Sequence, residues 1–269
     1  MKLKKNFFFL AIFTVGLSSC TETCSPISGV APFLKSGQVI LLGEIHGTEE
    51  GPAFVEQIAC NALGKNLRVT IGLELPQSDQ LHVDEYLNSN GSIEARRTFL
   101  SLNFWSRDYQ DGRASQSIFQ LIESVRSARE NGERVDIAFL DDEGSSNRDL
   151  VMANRLLEDI KSYPNNFFVA LTGNLHNIIS EGSGRMGSYV VNQLGKNKVT
   201  SLKQSYPGGS AWVCLADGDC GPVTLNGQGK GQIGIFIDNA MGNYHGTVGV
   251  DSIHASLPAR ELVKPTLNL

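Results

Sequence analysis

The sequence predicts an α/β protein with a mostly parallel sheet, helices on both faces of that sheet and a β-rich C-terminal extension. Short runs rich in Val, Ile and Leu alternate with longer segments whose apolar residues recur at helical spacing. This alternation is typical of a parallel sheet that is covered by helices on both faces. After Tyr206 glycine becomes frequent and the strand-like runs become shorter. That change indicates an extension or an edge of the sheet, not a second domain.

Apolar periodicity and turn residues define the order of the predicted elements. Pro52 lies where a helix tolerates proline in its first turn, Gly132 follows a long amphipathic segment, and Pro76 stops the second strand. Strands are expected at residues 38–43, 68–75, 135–140, 167–171 and 198–204, with short strands at 231–238 and 246–252. Helices are expected at residues 51–63, 114–131, 147–161 and 186–194, with irregular, mostly helical structure at 77–110.

The first twenty residues have the pattern of a secretory signal peptide. Three lysines precede an apolar stretch that is too short for an ordinary membrane-spanning helix, and Leu17-Ser18-Ser19-Cys20 follows. These four residues resemble a bacterial lipobox, which implies that Cys20 carries lipid and becomes the mature N-terminus. An ordinary signal that is cleaved elsewhere is the alternative. Because Thr21 stands in place of the aspartate that retains lipoproteins at the inner membrane, the expected location is the outer membrane, facing the periplasm of a bacterial cell envelope.

The rest of the chain is predicted to hold one domain. Residues 21–37 are expected to be a linker because proline and glycine recur there. Residues 38–269 are expected to form a single α/β domain, with a core at about 38–205 and the β-rich extension at 206–269. A hydrophobic content of 41% is enough for a substantial core. The net charge is −5 and there is no basic stripe, which argues against a nucleic-acid partner.

Four cysteines besides Cys20 are candidates for disulfides. Cys214 and Cys220 bracket the hairpin turn signal Asp217-Gly218, and a disulfide that closes such a hairpin suits an oxidising compartment. Cys24 and Cys60 would then pair by elimination, although four cysteines allow three connectivities. A zinc site built from the four cysteines is the alternative, but its usual C-x-x-C spacing is absent.

Two similar segments that end in histidine carry the strongest functional signal. Gly43-Glu44-Ile45-His46 and Gly173-Asn174-Leu175-His176 each follow a predicted strand, and Glu74 lies at the end of another. Since parallel strands present their carboxyl ends along one edge, these side chains are expected to meet in one crevice, where open α/β sheets bind ligands.

The set of His46, Glu74 and His176 supports two kinds of chemistry. Two histidines and a carboxylate are a common set for a catalytic zinc or manganese ion that keeps an open position for water. Without metal, His46 or Glu74 would act as general base while the other histidine positions the substrate or the leaving group. Taken singly, each of these residues could instead be structural. The sequence contains neither a G-x-S-x-G elbow nor a Walker loop, which disfavours a serine hydrolase and a nucleotide site.

Three further residues are secondary candidates for the site. Glu44 could hold a histidine or cap the following helix, and Asp141 could belong to the site or to an acidic turn before a helix. Arg113 could clamp a carboxylate or phosphate on a substrate. It could equally pair with Asp108 or Asp111.

The chain resembles the superfamily of erythromycin esterases, ChaN-like haem-binding lipoproteins, TraB/PrgY proteins and Tiki proteins. Its members share two GxxH motifs and an intervening glutamate on an α/β fold. The matches here are Gly43 with His46, Glu74, and Gly173 with His176, within about residues 38–205. The run 43–50 is most similar to the esterase branch, in which Glu50 would match a further glutamate. The lipobox and the Gly-Glu-Ile-His sequence look more like the ChaN branch.

The resemblance implies two functions of different classes. The leading expectation is an esterase-like or peptidase-like hydrolase that activates water against an ester or amide in a small molecule or peptide, with or without a divalent metal. The alternative is a haem-binding or other ligand-binding lipoprotein of the ChaN type without catalysis, because histidine and tyrosine are usual haem ligands. The β-rich extension matches no branch of the superfamily.

Overall fold

The computed structural model describes residues 24–215, 218–227, 229–238 and 240–263. The predicted signal peptide with Cys20, and Asp217 of the predicted turn, lie outside these residues. Nine strands occur in the described part of the chain: β1 (Val39–Glu44), β2 (Val69–Pro76), β3 (Val135–Asp141), β4 (Phe167–Gly173), β5 (Val199–Ser205), β6 (Gly208–Cys214), β7 (Cys220–Asn226), β8 (Gly234–Ile237) and β9 (Gly246–Gly249). The helices are α1 (Glu50–Leu63), α2 (Gln80–Leu87), α3 (Ile93–Leu100), α4 (Asn103–Ser106), α5 (Gln116–Glu130), α6 (Arg148–Ser162) and α7 (Met186–Leu194).

The main sheet has seven strands within the described residues, in the order β3-β2-β4-β1-β5-β9-β8. Strands β1 to β5 and β9 run in the same direction, and β8 pairs antiparallel with β9 at the edge of the sheet. Every residue of β1 is buried. This explains its unbroken apolar run, because strands at the centre of a parallel sheet are covered on both faces.

Helices cover both faces of this sheet, as predicted. Alternate residues of β1 enter two separate apolar clusters, because successive side chains of a strand point to opposite faces. Ile40 and Leu42 pack in the cluster that includes side chains of α1 and α5. Val39 and Leu41 pack in the cluster that includes side chains of α6 and α7. The predicted α/β class is confirmed.

The segment predicted as a linker packs against the fold. Within residues 24–37, Val30 and Leu34 are 3% and 6% exposed and belong to the core. Cys24 forms a disulfide with Cys60 in α1, and the Ile235 amide donates to the Ser28 carbonyl. The linker prediction is therefore wrong for these residues, since apolar burial and a covalent bond outweigh the local proline and glycine content.

The β-rich extension has two parts. Strands β8 and β9 extend the main sheet at one edge and correspond to the two short strands expected at 231–238 and 246–252. Strands β6 and β7 form a separate antiparallel ribbon. The turn signal predicted a hairpin here, but the bounds of its two strands were not predicted. Its end is closed by a disulfide between Cys214 and Cys220, so both expected disulfides are confirmed. Among the described residues, no helix is long and apolar enough to cross a membrane.

Candidate active site

The candidate site lies at the carboxyl ends of β1, β2 and β4. Strand β4 pairs with both β1 and β2, so three strands that are distant in sequence end side by side. His46 follows β1, Glu74 lies near the end of β2, and His176 lies in a 3₁₀ turn that follows β4. Nε2 of His46 lies 3.3 Å from Oε2 of Glu74, and Nε2 of His176 lies 3.4 Å from Oε1. The convergence expected from the sequence is therefore present.

The glycines of the two GxxH motifs let these segments pack against each other. A Cβ atom on Gly173 would lie 2.9 Å from Nε2 of His46, and one on Gly43 would lie 2.6 Å from Oδ1 of Asn174. Both distances are shorter than real Cβ contacts. Each motif thus needs glycine because the other motif occupies the space that a side chain would fill.

Glu74 is a buried carboxylate, 5% exposed, with donors on both oxygens. The Gly173 amide donates to Oε2 at 2.8 Å, and Nη2 of Arg148 donates to Oε1 at 3.0 Å. Burial raises the pKa of Glu74, but the opposing effect of His46 and His176 is larger and holds that pKa well below its usual range. Glu74 is therefore ionised at neutral pH and is the shared counter-charge of the two histidines.

Each histidine is held from its other side by a second carboxylate. Nδ1 of His46 donates to Oε1 of Glu44 at 2.9 Å, and Nδ1 of His176 donates to Oδ1 of Asp149 at 2.8 Å. Burial lowers the pKa of both rings, but their carboxylate neighbours outweigh it and raise the pKa to about 10 for His46 and to about 9 for His176. The protein thus contains a row of five ionisable groups in the order Glu44, His46, Glu74, His176, Asp149.

The two outer carboxylates differ in their environments. Asp149 also accepts from the Met186 amide at the start of α7, at 2.8 Å, and from Nη1 of Arg185, at 3.2 Å. Burial raises the pKa of Asp149, but His176 and this amide lower it by more. Glu44 is 4% exposed, its Oε2 has no hydrogen-bond partner among the described residues, and burial raises its pKa.

Two arginines, Arg113 and Arg148, join the row to the buried carboxylate of Asp141. Asp141 is fully buried, and it accepts from Nη1 of Arg113 at 2.8 Å and from Nε of Arg148 at 2.8 Å. Arg148 also binds Glu74 directly, whereas Nη1 of Arg113 lies 3.8 Å from Oε1 of Glu74. Arg113 pairs with Asp111 through Nη2 at 2.6 Å. The structure thus brings Arg113 and Asp141 into the site region, but Arg113 is only 8% exposed and its guanidinium is engaged by protein carboxylates.

Glu50 is not part of this arrangement. Its Oε1 accepts from Nδ1 of His254 at 2.7 Å, and its Oε2 accepts from the His254 amide at 3.0 Å. Thr48 forms a β-bridge with Ala255, which brings the start of α1 against the C-terminal segment. The assignment of Glu50 to the site, which rested on family resemblance, is therefore corrected.

Arg148, Asp149 and Arg185 were not predicted as site residues. Arg148 and Asp149 begin α6, which follows β3, so they lie at the same edge of the sheet as the other strand-end groups. That position was the signal available in the sequence. Arg185 ends a loop with two glycines, Gly182 and Gly184, and immediately precedes α7.

The predicted zinc or manganese set does not fit this arrangement. Both oxygens of Glu74 are already engaged, and Arg148 and Arg113 place two positive charges beside them. Among the residues that the structure describes, no group of three or more His, Cys, Asp or Glu is placed to hold a metal ion. The described residues that line the 460 Å³ cavity next to Asp141 include neither histidine nor tyrosine, the usual axial ligands of haem.

Fold and site together define an α/β protein whose central parallel strands end in a pair of carboxylate-held histidines. Solved structures with this fold include a succinoglycan biosynthesis protein, which matches 86% of this chain and 91% of its own at 9% identity and a TM-score of 0.60. A mutant of the erythromycin esterase EreC in its open conformation matches 83% of this chain and 92% of its own at 10% identity and a TM-score of 0.56.

A third match is ChaN of Campylobacter jejuni with cofacial haem, over 74% of this chain and 91% of its own, at 15% identity and a TM-score of 0.43. Such a score carries no argument about function. No family model and no curated protein matches the chain. The structural matches confirm, at the level of the fold, the resemblance that the two GxxH motifs predicted.

Proposed function

We propose that the protein is a hydrolase that activates water to cleave an ester or amide bond in a small molecule or peptide. One observation carries this proposal. Two imidazole rings are each fixed at Nδ1 by a buried carboxylate, and both direct Nε2 toward the single carboxylate of Glu74. The same carboxylate–histidine pairing orients the catalytic base in the Ser-His-Asp triad.

In the proposed mechanism, Nε2 of each ring performs the chemistry. An ionised carboxylate can only accept, so a neutral ring keeps its proton on Nδ1 and presents the Nε2 lone pair as a base. The Nε2 contacts with Glu74, at 3.3 and 3.4 Å, are longer than the Nδ1 contacts at 2.9 and 2.8 Å. Water and substrate can therefore compete for Nε2 while Nδ1 stays anchored.

The active form of the pair holds one proton on its two Nε2 atoms. The neutral ring takes a proton from water as the water oxygen attacks the carbonyl carbon. The protonated ring then gives its proton to the departing oxygen or nitrogen as the ester or amide bond breaks. Acid–base assistance of this kind contributes about 10²–10⁴ in rate. Glu74 keeps the two rings close and stabilises whichever one is charged.

The test uses soluble protein that lacks residues 1–20, with aryl esters, lactones and peptides as substrates. His46→Asn and His176→Asn should each lower kcat/KM by about 10²–10⁴ with little change in thermal melting. His82→Asn is the matched control, because His82 lies on α2 with its side chain 48% exposed. Dialysis against a chelator should leave the rate unchanged. Turnover that survives both site substitutions, or that is lost with metal, would exclude this mechanism.

We also propose that the protein is a lipid-anchored component of the bacterial cell envelope, attached through Cys20 to the outer membrane and facing the periplasm. The lipobox-like sequence and the following Thr21 support this location. The two disulfides support it as well, because such bonds persist in oxidising compartments.

A further inference from the structure

Trp212, which lies in β6 of the ribbon, contacts two loops of the candidate site. The Trp212 amide donates to the carbonyl of Gly47, the residue after His46, at 2.9 Å. The indole Nε1 of Trp212 donates to the carbonyl of Gln110 at 3.0 Å. Gln110 lies three residues before Arg113, which binds Asp141 behind Glu74. A single side chain and its backbone therefore link the segment that carries His46 to the segment that carries Arg113.

Two glycines permit this contact. A Cβ atom on Gly47 would lie 2.1 Å from the Trp212 carbonyl oxygen, and one on Gly112 would lie 2.6 Å from the Gly47 nitrogen and 2.8 Å from the same oxygen. Both glycines have positive φ, +73° and +92°, which other residues rarely adopt. Three backbone segments thus meet at a distance that leaves no room for side chains.

Ser256 of the extension and Ser117 of α5 hold the same loop from a second direction. The Ser256 amide also donates to the Gly47 carbonyl, at 2.9 Å. Oγ of Ser117 donates to the Thr48 carbonyl at 3.1 Å and lies 2.8 Å from Oγ of Ser256. The segment after His46 is therefore held both by α5 and by the C-terminal part of the chain.

We propose that Trp212 is a positioning residue of the hydrolytic site. The disulfide-closed ribbon that carries Trp212 keeps the loops of His46 and Arg113 fixed relative to each other. This inference rests on the proposed function. Trp212 is not one of the ionisable groups, and its hydrogen bonds are to the loops that carry His46 and Arg113. Its loss is therefore expected to displace His46 and Arg113 relative to Glu74 without removing any of them. Small displacements of catalytic groups are costly, since about 1 Å can lower a rate about 100-fold.

Amide hydrogen exchange tests the structural part without any substrate. In Trp212→Phe the ring and the backbone amide remain, but the indole N–H that binds the Gln110 carbonyl is lost. Exchange in residues 108–113 and 45–48 should become several-fold faster. The double variant Cys214→Ser/Cys220→Ser, which opens the end of the ribbon, should affect the same residues. Thr224→Ala is the control, because Thr224 is exposed on β7, and it should change neither segment.

Kinetics test the positioning role. Trp212→Phe should lower kcat about 10- to 100-fold while KM and the melting temperature stay near those of the parent protein. A fall that is confined to KM would overturn positioning and indicate direct substrate contact. Unchanged exchange in both loops, in Trp212→Phe and in the double cysteine variant, would also overturn the proposal. Faster exchange in a protein that hydrolyses none of the substrates supports the mechanical link and rejects the hydrolase function separately.

Discussion

At the scale of single residues, the central feature is a row in which carboxylates and imidazoles alternate. Burying a charge is costly unless it is paired, and here every inner member lies between two groups of opposite charge. Glu74 contacts the two imidazoles and accepts hydrogen bonds from Arg148 and from the Gly173 amide. The same contacts that stabilise the row raise the pKa of both histidines. The pair is consequently charged at neutral pH and becomes a base only in alkaline solution.

The pH dependence of kcat/KM follows from these shifts. With pKa values of about 10 for His46 and about 9 for His176, both rings are protonated at pH 7. The form with one proton is most populated between these two values, so kcat/KM should rise from pH 7 and reach its maximum between about 9 and 10. Initial rates with an uncharged aryl ester, corrected for its spontaneous hydrolysis, measure this profile. A plateau at pH 6–7 would contradict the charged pair.

Replacing Glu74 tests how much the fold is destabilised when the two histidines lose their shared negative charge. In Glu74→Gln the size of the side chain is kept, but two imidazolium groups and Arg148 lose their shared negative charge. Breaking a buried ion pair typically costs about 3–5 kcal/mol, and a loss of that order is expected in the free energy of unfolding by urea at pH 7. Glu85→Gln, whose side chain is 65% exposed, should change it by less than about 0.5 kcal/mol. Equal stabilities for the two variants would show that the row is not charged.

At the scale of elements, the site depends on where strands end and where helices begin. Strands β1, β4 and β2 supply both histidines and Glu74 because they are neighbours in the sheet. Helices α6 and α7 supply the support, since Asp149 lies in the first turn of α6 and accepts from the first amide of α7. The partial positive charge at a helix N-terminus stabilises a carboxylate. Because Asp149 binds both the first amide of α7 and Nδ1 of His176, the N-terminus of α7 acts on His176 through this carboxylate.

Asp149→Asn tests this connection between α6, α7 and β4. The amide keeps the shape but loses the charge, so the pKa of His176 should fall toward its ordinary value and kcat/KM should begin to rise at lower pH. NMR titration of the histidine ring protons measures the pKa directly. Glu158→Gln, an exposed position on the same helix, is the control and should leave the titration of His176 unchanged. An unaltered His176 in Asp149→Asn would exclude the connection.

At the scale of the whole molecule, the C-terminal extension completes the fold around the candidate site. It adds β8 and β9 to the sheet and places the ribbon against the loops that follow β1 and precede α5. The N-terminal segment is tied to α1 by one disulfide, and the ribbon is closed by another. These bonds are compatible with the proposed location outside the cytoplasm.

The lipid anchor is tested on the full-length protein in a bacterial host. With Cys20 intact, the protein should incorporate a fatty-acid analogue and remain in the membrane fraction. Cys20→Ser should abolish both the labelling and the membrane association, because the acceptor thiol is removed. Ser25→Ala, five residues downstream, should behave as the parent protein. Equal labelling of the Cys20→Ser protein would exclude lipidation at this residue.

Much of the fold was predictable because its signals are local. Strands that are buried on both faces are unbroken apolar runs, and the amphipathic helices between them recur at helical spacing. The meeting of His46, Glu74 and His176 was predictable for a related reason, since all three lie at or just beyond the carboxyl ends of strands that run in one direction. Glu50 was misplaced because the family resemblance that suggested it does not reveal that Glu50, the first residue of α1, pairs with His254.

The sequence alone determined the α/β class, the carboxyl edge as the place of the polar groups and the two motifs that carry the histidines, because residue periodicity and strand direction are properties of short segments. Only the tertiary structure decided that β4 lies between β1 and β2, that Arg148 and Asp149 join the row, and that Trp212 reaches Gly47. These outcomes depend on contacts between distant segments, such as the Gly173 amide and Glu74, which are 99 residues apart. Such pairings are chosen by the packing of the whole chain.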